Sequence, residues 1–73
     1  MTTAYFAKFD YADPPQPTAL FGVIDGGLAF YFDKAQKGWV LDMPVLWRTQ
    51  EDVDVWPITA DQAAVLEARF RAA

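Results

Sequence analysis

Asp25-Gly26-Gly27 lies between two β-type runs, Ala19 to Asp25 and Leu28 to Asp33. A type I′ turn needs positive φ at both central residues, which Asp-Gly and Gly-Gly supply at low cost. The triplet therefore predicts a tight hairpin in the first half of the chain. The turn centres on Asp25-Gly26 or on Gly26-Gly27. These registers differ by two residues, so either keeps Phe21, Val23, Leu28, Phe30 and Phe32 on one face. Ile24, Ala29 and Tyr31 take the other. In the second register Gly22 lies opposite Tyr31, whose ring covers the bare backbone.

The remaining strands build outward from that hairpin. Ala4 to Tyr11 alternates, with Tyr5, Ala7, Phe9 and Tyr11 on one face and Phe6, Lys8 and Asp10 on the other. It is read as an edge strand, with Lys8 guarding against edge pairing. Asp13-Pro14-Pro15-Gln16-Pro17 follows as a stiff connector that no helix or strand crosses. Gly38 to Asp42 is a further strand after the turn Lys34-Ala35-Gln36-Lys37. That loop length pairs Trp39 with Phe32 and Leu41 with Phe30. Asp42 to Trp47 reads as one helical turn, and Thr49 to Asp54 as a polar, acidic loop. Val53 to Ile58 is extended, since Pro57 biases Trp56 away from helix.

The C-terminal element has the clearest start signal. Thr59-Ala60-Asp61-Gln62 fits a capping box. Asp61 in the first turn and Arg69 and Arg71 near the end suit the helix dipole. The helix is expected from Ala60 to about Arg71, with Ala63, Leu66 and Phe70 as a narrow apolar stripe. Val65 falls well off it.

The expected architecture is a single α+β domain over residues 1–73: a small antiparallel β-meander of three to four strands packed against one C-terminal helix. The alternative is a small SH3-like barrel with the helix appended. A chain of 73 residues with no disulfide needs an efficient core, and its 12 aromatic residues are the means.

Composition excludes whole classes of chemistry. The chain has no Cys and no His, so thiol nucleophiles, Cys/His zinc sites and histidine acid–base catalysis are impossible within it. Gly26-Gly27 lies between strands, so it is no phosphate loop. Asp52 and Asp54 have Asp-x-Asp spacing, but no EF-hand pattern surrounds them. The expected protein is non-enzymatic, with neither cofactor nor metal. The net charge of −4 argues against direct nucleic-acid binding. No apolar window approaches the ~18 residues that suggest a bilayer span. Residues 1–13 lack the basic-then-apolar pattern of a secretory signal, so the expected location is the cytoplasm.

Charge is concentrated in one place. Residues 51–61 hold Glu51, Asp52, Asp54 and Asp61 and no base, so this stretch matches the net charge of the whole chain, −4. Trp47 and Trp56 flank its most acidic part, Glu51 to Asp54. Acidic patches speed association with basic surfaces, and Trp is enriched at binding hot spots. The expected function is a protein-interaction module (adaptor, regulator or immunity-type inhibitor) that docks a basic partner protein through Glu51, Asp52, Asp54, Trp56 and Trp47. The alternative is a phage-type inhibitor that mimics nucleic acid, with Asp10, Asp13, Asp25, Asp33 and Asp42 joining the acidic segment. The expected oligomeric state is a monomer, or a weak homodimer through the Ala4–Tyr11 edge.

Overall fold

The computed structural model describes residues 2–25, 27–51 and 53–72, and for residues 48, 50 and 51 the backbone alone. Alternating and β-branched or aromatic runs give five strands: β1 (Thr3–Phe9), β2 (Pro17–Ile24), β3 (Leu28–Asp33), β4 (Gly38–Leu41) and β5 (Val55–Ile58). Two helices complete the fold, α1 (Val45–Glu51) and α2 (Ala60–Ala72). The strands form one antiparallel sheet in the order β4-β3-β2-β1-β5. The first four are a meander, and the fifth returns to the far side of β1. The α+β meander with a C-terminal helix is thus the fold. The sheet is open, with β4 and β5 as its edges, so it is not the alternative barrel.

β1 is consequently an interior strand, paired with β2 on one side and β5 on the other. The edge expected at Ala4–Tyr11 does not exist, and homodimer pairing through it is closed. The strand also stops at Phe9. Beyond it, Asp10 Oδ1 accepts the N–H groups of Ala12 and Gln16, which folds the chain into the proline connector.

The central hairpin differs from expectation in one instructive way. Ile24 pairs with Leu28, so the connection has three residues, Asp25 to Gly27. Asp25 itself takes the left-handed conformation (φ 51°). It is also clamped to β1: its N–H donates to the Thr2 carbonyl at 2.7 Å, and its Oδ1 accepts the Thr2 N–H at 2.8 Å. An odd loop reverses the side-chain parity of one strand relative to the other. Phe21 and Val23 therefore share a face with Ala29 and Tyr31, not with Phe30 and Phe32. Gly22 lies opposite Phe30. Its bare backbone is flanked by Trp39 and Tyr5, whose nearest atoms would lie 3.6 and 3.8 Å from a Cβ built there.

The reversal leaves both sheet faces apolar, and each has a helix. On one face Ala7, Leu20 and Phe32 pack with Ala63, Leu66 and Phe70 of α2. Tyr5, Phe9, Trp39 and Ile58 border that cluster. On the other, Phe21, Val23, Ala29 and Val55 pack with Val45 of α1. α1 extends the turn expected at Asp42–Trp47 and continues to Glu51. The first part of the expected loop Thr49–Asp54 is therefore helical. The Thr49 hydroxyl donates to the Leu46 carbonyl, so this polar residue is satisfied within the helix.

α2 follows the sequence closely. The capping box is formed: Gln62 N–H donates to Thr59 Oγ1 at 3.1 Å, and Thr59 N–H donates to Gln62 Oε1 at 2.9 Å. Ala63, Leu66 and Phe70 are the buried stripe. At the other end Trp39 Nε1–H donates to Glu67 Oε1 at 2.7 Å. Arg71 bonds Glu67 and the Lys37 carbonyl, and its guanidinium lies 5.1 Å from the Phe32 ring centre. These contacts tie the end of α2 to the β3–β4 hairpin, whose register matches the expected one.

Two stability predictions follow from this geometry. Thr59→Ala removes one side of the capping box and costs about 1 kcal/mol, a fall in Tm of roughly 4–8 °C for a domain of this size, while Thr59→Ser retains most of it. Gly22→Ala meets only ordinary van der Waals distances. It leaves thermal stability unchanged or raises it by up to about 1 kcal/mol, because a strand glycine is replaced without a clash.

Candidate functional site

The residues that the sequence grouped together end up on different parts of the fold. Trp56 lies on β5 opposite Ala7, on the α2 face of the sheet, and is 59% exposed. Trp47 belongs to α1, which covers the opposite face, and is 63% exposed. The two therefore lie on opposite sides of the sheet, and one flat contact surface does not hold both. Asp54 lies just before β5. Its carbonyl accepts the Phe9 N–H, and its Oδ2 accepts the Tyr11 hydroxyl at 2.8 Å. Glu51 ends α1, with its side chain outside the described atoms, and Asp52 lies outside the described residues.

The α2 face next to Trp56 carries a feature the sequence did not reveal. Phe9, Pro17, Ile58, Asp61, Gln62, Val65 and Leu66 line a groove of about 360 Å³ between the first half of α2 and the β1–β5 side of the sheet. It is formed because the buried stripe of α2 is narrow. Leu66 turns into the core, whereas Val65 stands at the groove wall, 59% exposed. The only sequence signal for it was that Val65 falls off the helical stripe. Trp56 shares the sheet face of Ile58, two residues along the same strand.

Two carboxylates stand near this groove, and Lys8 lies opposite Val55 on the other face of the sheet. Asp61 lines the groove, and Asp54 precedes the strand that borders it. Asp61, Val65 and Arg69 recur at four-residue spacing and so lie in one row along α2. The acidic end of that row lines the groove with Ile58 of β5. Lys34 and Lys37 lie in the β3–β4 turn, at the same end of the sheet as the groove residues Phe9 and Pro17. There Lys34 Nζ stands 4.5 Å from the Phe70 ring centre and donates to the Thr18 carbonyl.

Other carboxylates have local structural work. Asp10 and Asp33 accept backbone N–H groups of their own turns, and Asp25 accepts the Thr2 N–H. Such Asx-type bonds explain an aspartate without a ligand. A second recess of about 230 Å³ lies over Gly22, walled by Tyr5, Phe30 and Trp39. No group of three Asp or Glu converges as a metal-ligand set among the described residues. Among those residues, no helix is long and apolar enough to cross a membrane.

The chain matches no family model, no curated protein and no solved structure.

Because Trp56 and Val65 are more than half exposed, they contribute little to folding. Trp56→Ala and Val65→Ser are expected to change unfolding free energy by no more than about 0.5 kcal/mol. Leu66→Ala, one position along the helix, is expected to cost about 2–5 kcal/mol. Chemical denaturation of the three variants checks this contrast.

Proposed function

We propose that this protein is a non-enzymatic protein-interaction module that docks a basic segment of a partner protein at the groove between α2 and β5. The observation that carries the reading is the exposure of Trp56 and Val65 beside an apolar groove in the most acidic part of the chain. Trp56 and Val65 supply apolar contact area, and such anchors dominate binding energy when they become desolvated. Asp61 and the neighbouring acids supply attraction for a cationic partner and set its orientation. The row Asp61–Val65–Arg69 directs the partner's positive charge toward β5 and away from the far end of α2. Trp47, on the other face, lies outside this groove. The nucleic-acid-mimic reading has weaker support, because Asp10, Asp25 and Asp33 already serve turns.

The test is affinity purification from the native host, followed by titration of the captured protein against variants. Trp56→Ala is expected to weaken binding by about tenfold or more, the equivalent of ~1.4 kcal/mol. Asp61→Lys is expected to slow association and to flatten the salt dependence. Full retention of affinity by Trp56→Ala, Val65→Ser and Asp61→Lys together overturns the reading.

A further inference from the structure

The two edges of the sheet are not equivalent. At β5, the Phe9 N–H donates to the Asp54 carbonyl. The alternation of an antiparallel ladder then turns the backbone groups of Trp56 and Ile58 toward β1 and those of Val55 and Pro57 outward. Pro57 has no N–H, so this edge lacks a donor where a further strand would need one. At β4, the Asp42 N–H donates to the Ala29 carbonyl at 2.9 Å. The same alternation turns Val40 and Gly38 toward β3 and leaves the N–H and C=O groups of Trp39 and Leu41 facing outward. Among the described residues no hydrogen bond reaches them, and β4 pairs with β3 alone. Gly38-Trp39-Val40-Leu41 carries no charge and no proline. Of the devices that usually block edge pairing, β4 has only its shortness, four residues; inward or outward charge and proline are absent from it.

The side chains along this edge are apolar and exposed. Leu41 is 55% exposed, Leu28 50% and Met43 44%. Leu41 lies opposite Phe30, which is half-buried on the same face as Leu28. The charges at the ends of β4 are of opposite sign, Lys37 before it and Asp42 after it.

We infer that β4 is a self-association edge, at which two copies of this chain join their sheets antiparallel about a two-fold axis at Val40. This register uses every outward group. Trp39 exchanges two hydrogen bonds with Leu41 of the second copy, and Leu41 exchanges two with Trp39 of the second copy. A register centred on Trp39 would pair Leu41 with Lys37, which has left the strand conformation (φ 56°). The Val40 register sets the exposed Leu41 of each copy opposite Trp39 of the other, on the α2 face, while the indole itself stays held inward by Glu67 and Phe32. It places Asp42 opposite Gly38 of the second copy and next to its Lys37, so the two ends attract. Val40 meets its own counterpart in a position whose backbone bonds all go inward, to β3.

The absence of cysteine from the chain makes the register directly testable. Cα atoms in such a non-hydrogen-bonded pair are about 4.5 Å apart, within disulfide range. Under mild oxidation V40C is expected to form a disulfide-linked dimer more than tenfold faster than V53C, whose site is more exposed (81%) but adjoins β5. In sedimentation equilibrium the unmodified chain is expected to shift from monomer toward dimer mass with concentration. L41P removes the outward N–H of Leu41, and so two of the four bonds, without touching the β3–β4 ladder. It is expected to shift the equilibrium toward monomer by tenfold or more. A chain that remains monomeric to about 1 mM, or V40C that links no faster than V53C, overturns the inference. The first result would reassign the free edge to a foreign strand. If L41P fails to fold, the V40C comparison still decides the matter.

Discussion

The structure depends on β2 being buried on both faces. Leu20, Phe21, Gly22 and Val23 are buried in succession, with Leu20 against the α2 layer and Phe21 and Val23 against the α1 layer. A strand in that position needs cover above and below, and a hairpin with one solvated face provides it on one side only. The chain meets the need with two helices of unequal size. α2, with its capping box and three-residue stripe, covers β1 and β2. α1 is short and enters the opposite face through Val45 and Leu46. Burying each large core side chain contributes on the order of 1.5–3 kcal/mol, so neither layer is dispensable in a domain without disulfides.

Much of this was legible in the sequence, and the parts that were not have definite physical causes. The final helix was legible because Thr59, Gln62, Ala63, Leu66 and Phe70 carry cap and stripe within one short segment. The β3–β4 register was legible because the turn length and the apolar faces agree. The β2–β3 faces were read wrongly because glycine pairs signal a turn without fixing its length. One extra turn residue inverted the parity. Asp25, bonded to Thr2, is the residue that makes the loop odd. Nothing local announces that bond, since its partners are 23 positions apart. The interior position of β1 was hidden for the same reason: its second partner is β5, nearly fifty residues downstream. Short α1 was hidden by its polar composition after Trp47.

The candidate groove shows how a site arises from incomplete coverage. The apolar stripe of α2 is narrow, so the sheet near Phe9 and Ile58 is only partly roofed. Val65 and Trp56 then stand in solvent where a wider stripe would have buried them. Asp61 stands in the first turn of α2 at this corner, and Arg69 and Arg71 lie in its last turn. The side-chain charges therefore run along α2 in the sense that complements its dipole.

The strand order has a further consequence during synthesis. The ribosome delivers the chain from its N-terminus, and segments fold as they become available. When residues up to 41 have emerged, β1 to β4 are all present, yet β5 is not. At that stage β1 is an outer strand, with Tyr5, Ala7 and Phe9 uncovered because α2 does not yet exist. A strand that is paired on both sides in the finished protein is thus half unpaired in the nascent one. Val55–Ile58 and α2 close that side together when the last third of the chain arrives. The interval between those two states is when this protein is most exposed to wrong pairing.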